Sequence, residues 1–225
     1  YLIESYAKPQ NTERITDTLV SFYDKVDTSK VDVNLMLVPT AVTVYSDKLP
    51  AHAPLSDQTG TAAAIYEASG IPAIDCTDRL LDGASQGQLY YRTDHHWTTL
   101  GAYFGYLAYC DAKNMTPVSL DTLTAQTVTD AFAGTLYSKV NDYSRPKDSI
   151  TIYTNPGDDL TVTYPDTGEV TDSLYNLDYV TEKDKYSLFL NNIHPLVEIE
   201  NSAASSQDAL MLIKDSYANS LVPFL

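Results

Sequence analysis

Basic residues, cysteine, tryptophan and long apolar runs are all scarce in this chain of 225 residues. No run of about 18 apolar residues occurs, and a bilayer-spanning helix needs roughly that length. The sequence therefore predicts no membrane-spanning helix. Both ends read like interior segments, so we expect a chain truncated at both ends. Membrane contact would then depend only on a removed anchor.

The low content of basic residues shapes the choice of partners. Lys and Arg number 14 against 30 Asp and Glu, which gives a formal net charge of −16. A surface of this charge repels nucleic acid and anionic membranes, so we expect no nucleic-acid partner. The same acidity is also consistent with a surface that only keeps the protein in solution. A polyanionic glycan stays open as a partner because a local site can be basic, and four cations flank the motifs described below: Arg92, Lys139, Arg145 and Lys214.

The two cysteines and the spacing of metal-ligand residues give little support to a metal centre. Neither a CxxC nor an HExxH pattern occurs, and these are the spacings that point to zinc. We predict no metal and no other cofactor. Cys76 and Cys110 are interpreted as buried free thiols, with a disulfide between them left open.

The most informative segment is residues 93–97, Thr-Asp-His-His-Trp, directly before an amphipathic stretch. Residues two apart in an extended chain point to the same face. Asp94 and His96 can therefore meet, with the carboxylate holding one ring nitrogen and the other free to take a proton. This arrangement supplies two members of a Ser-His-Asp triad. His95 should point away from Asp94, facing substrate or solvent.

A nucleophile for this pair is offered near the other end of the chain by Ser216. The apolar run 209–213 predicts a buried strand, and the residues after Ser216 can begin a helix. A serine at such a turn is exposed, and N–H groups at a helix start can stabilise an oxyanion. The alternative is that Asp215 or Ser216 only caps the helix. Asn219 is a further donor candidate for the oxyanion, and a polar helix face explains it equally well.

Taken together, these segments resemble the DHHW proteins and, more distantly, the sugar O-acetyltransferases of the alginate-acetylation type. The similarity covers nearly the whole chain. It rests on residues 90–98 with Gly101 and Ala102, on 212–220 with 223–225, and more weakly on 37–40, 134–139 and 183–187. The resemblance implies an SGNH-hydrolase-like fold with the triad in the order Asp, His, Ser.

Carried over residue by residue, the resemblance makes Asp94 the orienting acid, His96 the base and Ser216 the nucleophile. Two positions depart from the family pattern. Lys214 stands where the acetyltransferase relatives have Gly, and Ile193 stands where Asn is expected. We assign His95, Arg92 and Asn219 to substrate binding.

Hydrophobic periodicity predicts one α/β domain over residues 1–225. Helices are expected over 11–26, 57–69 and 99–112, with a helical turn at 78–81. Continuous apolar runs predict buried strands at 33–38 and 209–213, and a short strand is expected at 71–75. We therefore expect a parallel sheet flanked by helices, with 209–213 central and 33–38 close to it.

Residues 120–200 differ from the rest, with short alternating runs at 150–153 and 160–164 between turn signals. We predict a β-rich insertion or lid that packs beside the core and returns to it at 196–199.

Three functions are consistent with these patterns. The first is an extracytoplasmic acyl-ester hydrolase or O-acetyltransferase acting on a glycan or small acyl ester. The second is a metal site in which Asp94, His95 and His96 join His52, His194 or a cysteine. The third is a non-catalytic binding or surface module that retains the fold.

Overall fold

Six α-helices and five strands form over residues 1–140, 142, 144–206 and 208–225, which the computed structural model describes. Short 3₁₀ turns separate several of them. The helices are α1 (Thr12–Tyr23), α2 (Ala41–Val44), α3 (Gln58–Ser69), α4 (Thr77–Gly83), α5 (Thr99–Lys113) and α6 (Thr135–Val140). The strands are β1 (Thr124–Phe132), β2 (Asp148–Thr154), β3 (Leu160–Tyr164), β4 (Glu169–Thr171) and β5 (Glu198–Asn201).

The predicted helices are confirmed, and their ends follow local chemistry. Side-chain oxygens of Asn11, Asp57 and Thr98 each accept a hydrogen bond from a backbone N–H in the first turn of α1, α3 and α5. Such caps satisfy donors that the helix itself leaves unpaired. Gly70 ends α3 with φ 65°, a left-handed conformation that favours glycine. The capping residue Thr98 directly follows the motif, so α5 begins at Thr99.

The prediction of a parallel sheet is wrong, because both sheets in the described residues are antiparallel. Strand β1 pairs with β2, and β3 lies between β4 and β5. Of the expected strands 33–38 and 71–75, the structure shows one parallel bridge between Leu35 and Ala73. The fold is thus mixed α/β with small sheets.

The prediction of a buried strand at 209–213 is also wrong, since this segment is neither a strand nor buried. The side chains of Leu210, Met211 and Ile213 are 54%, 85% and 70% exposed. An apolar run becomes a buried strand only where other strands pair with its backbone. No strand of the described chain pairs with this one.

Residues 120–200 do hold most of the strands, together with helix α6. The expected return to the core at 196–199 is wrong, because β5 pairs with β3, with Thr161 opposite Glu200. These strands enclose an apolar cluster of their own that includes Phe132, Ile150 and Val162. A second cluster, around Trp97 and α5, forms the core of the helical part.

Two predictions from composition concern the membrane and the thiols. Within the ranges described above, no helix combines the length and apolar character needed to cross a bilayer. Cys76 and Cys110 are buried free thiols, as predicted. Burial raises the pKa of the Cys76 thiol to about 12, which leaves it unreactive at neutral pH.

Candidate functional site

The Thr-Asp-His-His-Trp segment forms a bent loop held from both sides. The buried carboxylate of Asp148 accepts hydrogen bonds from the backbone N–H groups of Arg92 (3.0 Å) and Thr93 (2.8 Å) and from the Thr93 hydroxyl (2.6 Å). The fully buried Trp97 donates from Nε1 to the carbonyl of Tyr217 at 2.7 Å. Trp97 is therefore part of the core, and the loop is tied both to β2 and to the chain around Ser216.

Asp94 and His96 meet through a tight turn rather than an extended segment. Asp94 Oδ1 accepts from the backbone N–H of His96 at 3.0 Å and lies 2.6 Å from His96 Nδ1. A carboxylate that bonds the backbone two residues on is the common Asx-turn. The expectation that the two residues meet is thus correct, although its geometric reason is not.

Ser216 completes a hydrogen-bonded chain of three side chains. Its Oγ lies 2.8 Å from His96 Nε2, across 120 positions of sequence. Ser216 begins a short 3₁₀ helix (Ser216–Ser220), so the segment after the serine is helical, in the tighter 3₁₀ form. Asp215 caps this turn by accepting from the Tyr217 N–H at 2.9 Å. The Tyr217 N–H group therefore already has a hydrogen-bond partner within the protein.

The imidazole of His96 is packed against the ring of Tyr186. The two rings are stacked at a centroid distance of 3.8 Å and an interplanar angle of 10°. The Tyr186 hydroxyl donates to the carbonyl of Ser216 at 2.9 Å and lies 3.1 Å from Ser220 Oγ. One buried tyrosine therefore contacts both His96 and the backbone of Ser216, which restricts how far the two can separate.

The second carboxylate oxygen of Asp94 is held by the start of α6. Asp94 Oδ2 accepts from the Thr135 backbone N–H at 2.7 Å and from the Thr135 hydroxyl at 2.9 Å. Gly134 allows this approach, because a Cβ there would lie 2.3 Å from Asp94 Cβ. Asp94 is therefore held through both oxygens.

These contacts set the charge of the site. Although burial raises the pKa of Asp94, hydrogen bonds from His96 and Thr135 hold it well below its usual value, so the carboxylate is ionised at neutral pH. The pKa of His95 is lowered, mainly by burial and then by His96. A neutral His95 therefore lies beside the ionised Asp94.

The expectation that His95 points away from Asp94 is wrong. Its Nδ1 lies 3.6 Å from Asp94 Oδ1 and 2.8 Å from Thr135 Oγ1. Its ring is 4.0 Å from that of His96, centroid to centroid. The loop bends at these residues, so the alternation of an extended strand does not apply.

The other two residues assigned to substrate binding lie in different surroundings. Arg92 has its guanidinium carbon 5.6 Å from the centroid of the Tyr1 ring and does not line the cavity described next. Asn219 is buried, and its Oδ1 accepts a hydrogen bond from Lys214 Nζ. The Lys214 side chain thus extends across the surface toward Asn219. Burial lowers the pKa of Lys214.

A cavity of about 210 Å³ opens beside His95. Its lining includes Glu4, Thr40, Leu136 and Tyr217 as well as Asp94 and His95. At this side of the molecule Glu4 is paired with Lys139 at 2.8 Å. The cavity is large enough for a small acyl or sugar group and brings its occupant next to the motif loop.

The same motif contains the one group of three possible metal ligands found in the described ranges. Ligand atoms of Asp94, His95 and His96 lie within 4.8 Å of one another. Both ring nitrogens of His96 and the Nδ1 of His95 already have protein partners at hydrogen-bond distance. A metal would have to displace some of these contacts. His194 lies elsewhere, beside Asp166.

Three residues that hold the motif in place were not predicted from the sequence. Asp148, Thr135 and Tyr186 contact motif residues that lie 40 or more positions away along the chain. The segments 134–139 and 183–187 showed weak family resemblance, which was the available signal for Thr135 and Tyr186. No local pattern marks Asp148.

The sequence and the fold of this chain are similar to those of known proteins. A family model described as "DHHW protein" matches residues 5–225. A DHHW family protein from Eubacterium siraeum is similar at 26% identity and a TM-score of 0.82, over 98% of this chain and 74% of that one. No curated protein matches the chain.

Two further solved structures share the fold at lower identity. Bacillus cereus PatB1, in a structure with a sulfonyl adduct, is 19% identical with a TM-score of 0.75, over 97% of this chain and 77% of that one. The O-acetyltransferase domain of Pseudomonas putida AlgJ is 19% identical with a TM-score of 0.51, over 66% of this chain and 59% of that one. The fold is therefore one that an O-acetyltransferase domain also uses.

Proposed function

The chain belongs to the DHHW family, and from that premise we propose that it is a serine acyl-ester hydrolase or O-acetyltransferase. One observation carries the proposal: Asp94, His96 and Ser216 form an unbroken chain of hydrogen bonds at 2.6 and 2.8 Å. In this order of contacts a carboxylate orients an imidazole and the imidazole activates a hydroxyl.

The proposed reaction has two halves. In the first, Ser216 Oγ attacks the acyl carbon of an ester while its proton passes to His96 Nε2, which then protonates the leaving alcohol. In the second, water or a sugar hydroxyl attacks the acyl-enzyme, its proton passes to His96, and Ser216 recovers its hydroxyl. Asp94 fixes the hydrogen on His96 Nδ1 throughout, which keeps Nε2 available for both transfers.

We propose an O-acyl glycan outside the cytoplasm as the physiological substrate. The support is the family resemblance together with the fold shared with the AlgJ O-acetyltransferase domain. The cavity beside His95 offers polar and aromatic side chains, including Thr40 and Tyr217, that suit a sugar. No cofactor enters the proposed steps.

The test uses a small ester and a covalent label. Wild type should hydrolyse 4-nitrophenyl acetate, and phenylmethylsulfonyl fluoride should stop this by modifying Ser216, located by peptide mass spectrometry. Ser216→Ala and His96→Ala should each lower kcat/KM by about three orders of magnitude or more, because residues that act as a unit are not additive. Ser29→Ala, in an exposed turn, serves as the matched control.

Two alternatives have distinct outcomes in the same experiment. A wild type without ester turnover or labelling at Ser216 would favour the non-catalytic module, in which the contacts only pack. The metal site is favoured by the clustered ligand atoms of Asp94, His95 and His96. Activity that EDTA removes and zinc restores would support that site instead of the serine mechanism.

A further inference from the structure

The hydrogen bonds around Asp94 determine which nitrogen of His95 carries hydrogen. Thr135 Oγ1 lies 2.9 Å from Asp94 Oδ2 and 2.8 Å from His95 Nδ1. A hydroxyl has a single hydrogen to donate, and an ionised carboxylate has none. The Thr135 hydroxyl must therefore donate to Asp94 and accept from His95. It follows that His95 holds a hydrogen on Nδ1.

The other nitrogen of His95 is consequently a bare acceptor in the neutral ring. Burial, with a contribution from His96, holds the pKa of His95 below 6.5, so the neutral ring dominates at pH 7. No side chain or backbone group within residues 1–140, 142, 144–206 and 208–225 is hydrogen-bonded to His95 Nε2. The side chain is 36% exposed and lines the cavity beside the motif.

His95 and His96 form a pair that one carboxylate orients. Asp94 Oδ1 is 2.6 Å from Nδ1 of His96 and 3.6 Å from Nδ1 of His95, and the ring centroids are 4.0 Å apart. Both rings turn their Nδ1 edges toward Asp94. Once Ser216 is acylated and the leaving alcohol has taken its proton, His96 Nε2 is also a bare acceptor. At that stage two neighbouring imidazoles, both oriented by Asp94, each have a bare Nε2 acceptor.

We propose that His95 Nε2 binds a second hydroxyl of the acyl acceptor, next to the hydroxyl that reacts, so that the site selects a vicinal diol such as a sugar. The inference rests on the proposed function and names the acceptor class for it. The reacting oxygen bonds to the acyl carbon, the bond from that carbon to Ser216 Oγ breaks, and the hydroxyl proton passes through His96 Nε2 to Ser216 Oγ. The neighbouring hydroxyl stays intact and donates to His95.

The experiment compares two acceptors that differ by one hydroxyl. With 4-nitrophenyl acetate as donor, wild type should transfer acetyl to cis-cyclohexane-1,2-diol about 3- to 10-fold faster than to cyclohexanol, the effect of one neutral hydrogen bond. His95→Phe keeps an aromatic ring against His96 and removes both nitrogens. The diol preference is a ratio of two rates measured on the same variant, and it should fall to about one in His95→Phe whatever happens to the nitrophenolate burst.

Variants of Thr135 provide the matched control. Thr135→Ser retains the hydroxyl that fixes the His95 hydrogen and should retain the diol preference, whereas Thr135→Val should lose it. A diol preference that survives in His95→Phe overturns the inference, and so does a wild type with a burst but no preference. A wild type with no burst and no acyl-Ser216 overturns the proposed function and the inference together.

Discussion

Gly134→Ala is the substitution for which the structure gives the sharpest expectation. The added Cβ would lie 2.3 Å from Asp94 Cβ and 2.4 Å from Asp94 Oδ2, whereas ordinary contacts begin near 3.4 Å. The φ of Gly134 is outside the left-handed region, so alanine meets no backbone penalty there. The three atoms nearest to the added Cβ all belong to Asp94, and relief of the clash requires that side chain to retreat by about 1 Å.

That displacement acts on both oxygens of Asp94. It stretches the 2.7 Å bond to the Thr135 N–H and the 2.6 Å contact with His96 Nδ1. A misplacement of about 1 Å can lower the rate about 100-fold, and overpacking costs roughly 1–3 kcal/mol of unfolding free energy. For a chain of this size the corresponding fall in Tm is roughly 2–12 °C.

The assay measures kcat/KM with 4-nitrophenyl acetate well below the Tm, together with thermal unfolding by circular dichroism. Gly157→Ala is the control, because its Cβ would meet only Asn155 Oδ1 at 3.5 Å, an ordinary contact. The control should match wild type in both measurements. A folded Gly134→Ala variant with wild-type kcat/KM would refute the argument that Asp94 must be held in place for turnover.

Four further outcomes are expected. Tyr186→Phe removes the hydroxyl contacts to Ser216 and Ser220 but keeps the ring stacked on His96. The unfolding free energy measured in urea should fall by roughly 1–2 kcal/mol, and the steady-state rate should stay within about ten-fold of wild type. A much larger loss of rate would refute the role of the ring. Asp148→Ala leaves several buried hydrogen-bond donors without a partner, so the unfolding free energy measured in urea should fall by about 3–5 kcal/mol. A fall of less than about 1 kcal/mol would contradict the role of Asp148 in holding the motif loop. The folded-state pKa of Asp94 lies below its ordinary value of 3.8, so its ionised form stabilises the fold fully above about pH 5 and progressively less as the pH falls towards the folded-state pKa. The unfolding free energy should therefore decline below about pH 5 more steeply in wild type than in Asp94→Asn, and equal slopes would count against the assignment. Dialysis against EDTA should change neither Tm nor ester turnover.

Local sequence chemistry determined the helices and the position of the motif. Thr98 caps α5 with a side-chain oxygen, and Gly70 ends α3 in a left-handed conformation. Both effects involve neighbours within four residues, so no tertiary information is needed to predict them. Acid, imidazole and hydroxyl were identified as Asp94, His96 and Ser216 from local residue types and family resemblance.

Strand pairing could not be read in the same way. The apolar run 209–213 and the run 33–38 carry the pattern of buried strands, yet the first is exposed and the second makes one bridge. A strand is stabilised by partners that lie far away along the chain, and an apolar run does not say which partners are present. The antiparallel pairing of β3 with β5 joins segments about 40 residues apart, and no local signal specifies it.

What the sequence by itself determined is therefore the set of chemical groups and the local turns that present them. Tertiary structure alone decided how the groups are held. It placed Asp148 under the motif loop, Thr135 on the second oxygen of Asp94, and Tyr186 flat against His96. It also turned His95 toward Asp94 instead of away from it. The physical reason is that each of these contacts joins residues from separate segments, and their free energy depends on burial and distance that exist only once the chain has folded.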